Sequence, residues 1–221
     1  MIISHKHKFI FVRTEKTGGT SLRRSLGEIC DPGDMFTGRY QTLPPLGHVP
    51  WRNAQGMLRR RFPKYFGFHA HGTIGQVKSI IGHRIFNDYF KFAIERNPWD
   101  RQVSLYAHRK KQYQPGKEFN FDKDISSLWF RSTEYVRLHN WEIYTINNQI
   151  AVDKVIRYEN LSEEISEVMS LLGISEALKM PRKRSGYRND GGNYRPLYSD
   201  RTRDLVARWY RREIQAFGYE F

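Results

Sequence analysis

The stretch Lys8-Phe9-Ile10-Phe11-Val12-Arg13-Thr14-Glu15-Lys16-Thr17-Gly18-Gly19-Thr20-Ser21 decides the fold of this chain. Its run Phe9–Val12 is short and apolar, as in a strand buried within a parallel sheet. A strand, a glycine loop and a helix in this order direct backbone N–H groups and a helix N-terminus at an anion. We therefore expect residues 16–21 to bind a phosphate-like group at the mouth of a sheet. The helix after the glycines is indicated by apolar residues at helical spacing, namely Leu22, Leu26 and Ile29.

The position of the lysine separates this loop from the loop that binds nucleoside triphosphates. In the triphosphate loop the lysine follows the second glycine and precedes Ser or Thr, whereas Lys16 precedes both glycines. The segment 16–21 resembles the phosphosulfate-binding loop of sulfotransferases that use 3'-phosphoadenosine 5'-phosphosulfate (PAPS). The resemblance implies an α/β, P-loop-like three-layer fold with a central parallel β-sheet flanked by helices. It also implies that the cofactor contacts Lys16, Thr17, Gly18, Gly19, Thr20 and Ser21.

A second strand and helix follow the same order around Arg96. The apolar run 89–94 predicts a strand, and Asn97 and Pro98 are typical of a helix N-cap and first helical position. Arg96 at the strand end and Ser104 in the helix could then hold one phosphate, since a guanidinium donates two hydrogen bonds to phosphate oxygens. The segment 96–104 resembles the sulfotransferase segment whose Arg and Ser bind the 3'-phosphate. Segments 89–106 and 198–221 are most similar to the carbohydrate (Golgi-type, sulfotransferase family 2) group and its bacterial relatives.

Two histidines lie between these segments. Thr73 and Gln76 form a capping-box pattern that predicts a helix from Ile74, with His71 in the loop before it. Histidine is the usual general base near neutral pH, and His69 and His71 share a face while the chain is extended. Two histidines without a third ligand give little support for a metal site. Sulfotransferases similar to this chain use a histidine base here, which implies His71, or alternatively His69, as the base.

The segment 152–161 predicts another buried strand, followed by a helix capped at Ser162 and ended at Gly173. Its Tyr-Glu-Asn-Leu stretch resembles the sulfotransferase element whose tyrosine approaches the adenine, which implies a role for Tyr158; an ordinary strand-end tyrosine is an equal alternative. The basic loop 181–188 resembles the loop over the 3'-phosphate side of the cofactor, which implies Lys183 and Arg184. A nucleic-acid patch is the alternative for this loop.

Composition limits the possible classes of protein. The 221 residues suffice for one domain with a sizeable core, and we expect a single domain 1–221 in which 31–64 and 107–140 are irregular or lid-like insertions. Apolar runs fall short of the roughly 20 residues of a membrane span, and a signal-peptide pattern is absent. Cys30 is the only cysteine, which fits a reducing compartment. We therefore expect no transmembrane segment and a cytoplasmic location.

A net charge of +14 favours anionic partners. The sulfotransferase resemblance implies transfer of a sulfuryl group from PAPS to an acceptor hydroxyl, on a saccharide or glycolipid, with adenosine 3',5'-bisphosphate (PAP) as product and without a metal. The alternatives are a basic nucleic-acid-binding protein and a degenerate sulfotransferase that binds PAPS or PAP without chemistry. Glu15 stands where many relatives have proline, and we expect its carboxylate to turn away from the anion or to pair with Arg13.

Overall fold

The computed structural model describes residues 1–36, 70–113, 118, 120–127, 137–176, 178 and 193–221. These residues fall into two compact units, which are described separately below. The first unit comprises Met1–Glu95 and Asn140–Met180, and the second comprises Arg96–His139 and Pro181–Phe221. Within the described residues, none of the helices combines the length and the hydrophobicity that crossing a lipid bilayer requires.

The first unit is built on a five-stranded sheet of β1 (Ile2–Ser4), β2 (Phe9–Val12), β3 (Met35–Phe36), β4 (Phe90–Glu95) and β7 (Lys154–Arg157). The order of the strands in the sheet is β3-β1-β2-β4-β7. Strands β2, β4 and β7 are parallel, as the sequence predicts, whereas β1 pairs antiparallel with β2 and with β3. Strands β5 (Thr145–Ile146) and β6 (Gln149–Ile150) form a separate hairpin. The helices of this unit are α1 (Gly19–Ile29), α2 (Ile74–Asp88), α5 (Asn140–Tyr144) and α6 (Leu161–Leu171), with a 3₁₀ turn at Tyr158–Asn160.

The core of the first unit explains why β2 is apolar throughout. All four β2 side chains are fully buried, so both faces of this strand are covered. Phe9 and Phe11 are two residues apart in β2 and therefore point to the same face of the sheet. They pack with the apolar stripes of the two helices that follow β2 and β7. Those stripes are Leu22, Leu26 and Ile29 of α1 and Ile165, Val168 and Met169 of α6.

Two predicted features of the first unit need correction. The helix α6 begins at Leu161 after the 3₁₀ turn, with Asn160 at its N-cap, so the predicted cap at Ser162 is wrong. Helical spacing predicts Leu171 in the same buried stripe as Ile165 and Val168, but Leu171 is 69% exposed and Met169 takes its place in the buried face. The predicted end at Gly173 is confirmed, since this glycine adopts a left-handed conformation with φ of 66°.

Asp34 joins two turns of the first unit. Its buried carboxylate accepts hydrogen bonds from the Ser4 hydroxyl at 2.7 Å and from the backbone N–H groups of His5, Lys6 and Asp31. Burial alone would raise the pKa of Asp34, but these four donors stabilise the charged form and the net pKa is lowered. The anionic carboxylate therefore stabilises the loop between β1 and β2 and the turn that leads into β3.

We expect Asp34→Asn to lower the free energy of unfolding by about 2 kcal/mol, because an amide leaves buried donors without an acceptor. Since the folded-state pKa lies below the unfolded value of about 3.9, the stabilisation is present above about pH 4 and is lost as the pH falls through the folded-state pKa. Urea denaturation of both proteins from pH 7 to pH 3 measures this. Asp31→Asn, at a half-exposed carboxylate paired with Lys6, is the control. A loss equal to that of the control would contradict the assigned role.

The second unit contains helices α3 (Pro98–Tyr113), α4 (Phe121–Ser126), α7 (Asp200–Trp209) and α8 (Arg211–Phe217). Residues 107–113 of α3 and all of α4 lie within the segment 107–140 that the sequence predicts to be irregular. The apolar spacing over residues 200–216 predicts one C-terminal helix, but the structure divides it in two at Tyr210, whose φ and ψ of −116° and 28° depart from helical values. An aromatic core holds this unit together, with Trp99, Val103, Tyr106, Phe121, Ile125, Val206, Tyr210 and Tyr219.

Arg101 and Glu213 form a buried ion pair inside the second unit. The Arg101 side chain is fully buried, and its Nη2 lies 3.1 Å from Oε1 of Glu213, whose side chain is 4% exposed. The Arg101 guanidinium also lies over the Tyr210 ring, 4.4 Å from the centroid. Burial raises the pKa of Tyr210 to about 12, and its hydroxyl donates to Oε1 of Gln102 at 2.7 Å while accepting from the Leu138 N–H. Glu213 therefore provides an acceptor for Arg101 and Gln102 one for Tyr210 within this core.

Candidate active site

Residues 13–18 connect β2 to α1 at the carboxyl end of β2, and residues 19–21 of the predicted loop form the first turn of α1. The helix α1 begins at Gly19, and Gly18 occupies its N-cap with φ of 76° and no side-chain hydrogen bond to the first turn. The first amides of a helix have no intrahelical acceptor, and the N-cap, a glycine, supplies no side-chain acceptor for them. The N-terminus of α1 therefore has the donor set that an anionic group such as a phosphosulfate requires.

Close neighbours leave little room for a side chain at either glycine of the loop. A Cβ atom at Gly19 would lie 2.7 Å from Cγ of Arg13, so the Arg13 side chain crosses directly over the first residue of α1. A Cβ atom at Gly18 would lie 3.0 Å from Cε2 of Tyr158, and the positive φ of Gly18 also favours glycine. The Tyr158 ring, which the sequence associated with the cofactor, therefore lies against the loop.

Lys16 has a left-handed backbone with φ of 60°. This conformation is uncommon for residues other than glycine, asparagine and aspartate. Two buried hydroxyls beside it hold the loop: Oγ1 of Thr14 and Oγ1 of Thr17 are 2.8 Å apart, and Thr14 donates to the carbonyl oxygen of Ile94 at 2.5 Å. Because that contact uses the Thr14 proton, Thr17 donates to Thr14. The Thr17 side chain is thus engaged inside the protein and ties the loop to β4.

Asn140 holds the residue before Lys16. Its side chain is fully buried at the start of α5, its Oδ1 accepts from the Glu15 N–H at 2.9 Å, and its Nδ2 donates to the Glu15 carbonyl at 3.0 Å. The two hydrogen bonds fix the Glu15 backbone from both sides. Burial and the charge of Arg23 lower the pKa of the Arg13 guanidinium, and the negative charge of the Glu15 carboxylate opposes them by a smaller amount. The local backbone that leads into Lys16 is therefore set by Asn140.

We expect Asn140→Ala to lower the free energy of unfolding by about 2 kcal/mol, because it leaves two polar groups of Glu15 without their partner. Chemical denaturation measures the effect. Asn87→Ala, at an exposed position near the end of α2, removes the same amide without losing a buried contact and should change stability by less than about 0.5 kcal/mol. Equal losses in both variants would show that the contact with Glu15 contributes nothing.

His71 lies before α2, whose predicted capping box of Thr73 and Gln76 is confirmed. Its Nδ1 lies 2.9 Å from the carbonyl oxygen of Arg13, and its Nε2 lies 3.0 Å from Nη2 of the same residue. A carbonyl oxygen only accepts and a guanidinium only donates. These contacts assign the neutral Nδ1–H tautomer, in which the lone pair is on Nε2.

The remaining predicted residues are distributed as follows. His69, Lys183 and Arg184 lie outside the described residues. Arg96 and Ser104 belong to the second unit, and their use of the same cofactor as Lys16 stays a prediction. Arg96 forms an ion pair with Asp100, with Nε 2.6 Å and Nη2 2.5 Å from Oδ2. Asn97 accepts from the Trp99 N–H at 3.1 Å, as expected for a residue that caps α3.

Sequence reasoning missed two residues of this site. Asn140 is 125 positions from its partner Glu15, and nothing in its local pattern points to the loop. The sequence suggests Arg13 only as a partner for Glu15. A cation directly after a buried strand and before a glycine loop is nevertheless a pattern that could indicate a role in the site. Across the described ranges, no cluster of three or more His, Cys, Asp or Glu side chains could hold a metal ion.

Comparison with known proteins identifies the family. An uncharacterized protein of Archaeoglobus fulgidus is 33% identical over 105 residues, which are 46% of this chain and 82% of that protein. No solved structure matches the chain significantly. The model of the sulfotransferase family matches residues 1–220. This match spans the loop, the histidine and the Arg96 segment, and the chain belongs to the sulfotransferase family.

Proposed function

We propose that this protein transfers a sulfuryl group from PAPS to an acceptor hydroxyl. The N-terminus of α1, with a glycine at its N-cap, in a chain of the sulfotransferase family, is the observation that supports this proposal best. When bound, PAPS supplies an activated sulfuryl group on a phosphate that leaves as PAP. The fold would then be the P-loop-like three-layer arrangement, with the cofactor at the carboxyl ends of β2 and β4.

Lys16 would carry the main electrostatic role. As the acceptor oxygen bonds to sulfur, the bond from sulfur to the 5'-phosphate oxygen breaks, and the electron pair stays on that oxygen. The Lys16 ammonium and the amides of the first turn of α1 would stabilise the developing charge. The Asn140 contact and the threonine pair keep this loop in one conformation, so little reorganisation is needed during the reaction.

His71 would act as the general base through Nε2, the ring nitrogen with the lone pair. The acceptor hydroxyl would give its proton to Nε2 while Nδ1–H continues to donate to the Arg13 carbonyl oxygen. That backbone contact would orient the ring and support the imidazolium that forms. His69 is the alternative base. The scheme requires no metal.

The rest of the cofactor would be held by residues proposed from the family pattern. Tyr158, whose ring lies against Gly18, would contact the adenine, and Arg96 with Ser104 would bind the 3'-phosphate. Lys183 and Arg184 would contact the 3'-phosphate side. The acceptor would be a saccharide or glycolipid, for which the net charge of +14 is favourable. The single cysteine fits a cytoplasmic compartment.

Two measurements test this function. PAP should bind the full chain in calorimetry, and incubation with sulfur-labelled PAPS and fractionated glycans, lipids and phenols should label one fraction. Binding of PAP with no labelled fraction would instead favour a degenerate sulfotransferase. Salt-sensitive DNA binding, together with no effect of PAP on thermal unfolding, would favour the nucleic-acid-binding alternative suggested by the basic composition.

A further inference from the structure

The Arg13 side chain links the phosphosulfate loop to the histidine. It leaves the carboxyl end of β2, crosses Gly19 at the start of α1, and places Nη2 3.0 Å from Nε2 of His71. One residue therefore touches both the first turn of the anion-binding helix and the lone pair of the proposed base.

The hydrogen-bond partner of the Arg13 guanidinium is a neutral ring and not a carboxylate. None of the ion pairs among the described residues includes Arg13, and its half-buried side chain contains a buried Nε without a hydrogen-bond acceptor in that same set. Burial and the neighbouring Arg23 charge lower the pKa of Arg13, and Glu15 only partly opposes them. The guanidinium is thus held by a neutral imidazole in a locally positive environment, so an anion would be a better partner.

The contact also has a chemical consequence for His71. While Nη2 donates to Nε2, the lone pair that would accept the acceptor proton is occupied. The Nδ1–H bond to the Arg13 carbonyl does not depend on the side chain, so the tautomer is retained if the guanidinium leaves. Movement of the guanidinium would therefore remove this donor from Nε2 and leave the Nδ1–H tautomer in place.

We propose that Arg13 exchanges partners when the cofactor binds: its guanidinium leaves Nε2 of His71 and binds the anionic 5' group held at the N-terminus of α1. This inference rests on the proposed function. Arg13 would then have two roles, since it binds the cofactor and makes His71 available as a base only when the cofactor is present.

The test follows His71 directly in the full chain, without any acceptor. Protein labelled with ¹⁵N-histidine is examined by NMR alone, with PAP, and with adenosine 3'-phosphate, which lacks the 5' anion; His71→Gln assigns the signal. We expect PAP to change the ¹⁵N chemical shift of Nε2. The direction of the change should be the one that follows when the Nε2 lone pair loses a hydrogen-bond donor. Adenosine 3'-phosphate should leave it unchanged, and Nδ1 should stay protonated throughout.

A matched pair of variants adds a second measurement. Arg13→Met should weaken PAP binding by about tenfold to a hundredfold, as expected for the loss of hydrogen bonds to a charged group, and leave adenosine 3'-phosphate binding unchanged. In this variant the Nε2 resonance should already be at its shifted position without ligand. Arg24→Met, at an exposed arginine of α1, should alter neither quantity.

The outcomes separate this inference from the proposed function. Binding of PAP without movement of the Nε2 resonance, or equal movement with adenosine 3'-phosphate, would overturn the exchange and leave the proposed function intact. Absence of PAP binding would overturn both. The comparison of ligands uses the unaltered protein, so it decides the question even if Arg13→Met does not fold.

Discussion

Lys16→Ala should reduce sulfuryl transfer by about two to three orders of magnitude while PAP still binds weakly. The size follows from the effect of removing one preorganised donor from the site where charge develops. Alanine keeps the Cβ atom, so the substitution does not change the left-handed backbone at this position, and the amides at the start of α1 remain. Turnover of labelled PAPS with the acceptor fraction and calorimetric titration with PAP measure the two effects.

Lys123→Ala is the matched control, because this lysine is exposed on α4 in the second unit. The control should retain full activity and the same PAP affinity. Full activity in Lys16→Ala would contradict the proposed mechanism. A loss of PAP binding as large as the loss of turnover would assign Lys16 to cofactor binding alone, since only a selective effect on turnover indicates stabilisation of the transition state.

Glu213→Gln should have the largest effect on stability, lowering the free energy of unfolding by about 3–5 kcal/mol. The substitution conserves shape but leaves the Arg101 guanidinium fully buried without its counter-charge. The contact with the Tyr210 ring would compensate only part of that loss. Urea denaturation and thermal melting measure it, and for a chain of this size each kcal/mol corresponds to about 2–4 °C.

Two further variants define the origin of this loss. Glu220→Gln removes an exposed carboxylate near the same end of the chain and should change stability by less than about 0.5 kcal/mol. The double variant Arg101→Met with Glu213→Leu should recover much of the lost stability, because apolar side chains of similar volume often replace a buried ion pair without a penalty. A double variant as unstable as Glu213→Gln would show that the ion pair itself is required.

The sequence predicted those parts of the fold that depend on short-range patterns. The buried strand β2, the start of α1 after the glycines and the capping box of α2 each have a local signal, and the structure confirms them. The antiparallel strand β1 was missed because three residues carry too short a pattern, and its pairing with β2 depends on the turn between them. The break of the last helix at Tyr210 was missed because that tyrosine is held by partners distant in sequence.

The residues of the candidate site also differ in whether a local sequence pattern indicates them. The loop residues and His71 could be proposed from the sequence because each residue type is linked to a chemistry in its local context. Asn140 acts only through a backbone 125 residues away, so a single sequence contains no pattern that reveals it. The contact between Arg13 and Nε2 of His71 likewise needs coordinates, because it depends on where two loops meet.

The left-handed backbone of Lys16 has a consequence for how this position can be engineered. On conformational grounds asparagine is favoured here by about 1 kcal/mol, so Lys16→Asn should give a protein that resists unfolding better than the natural one while failing at catalysis. Selection for thermal tolerance or expression yield alone would then favour loss of the lysine. A library screened in that way should be counter-screened for turnover, since its most robust members at residue 16 would be inactive.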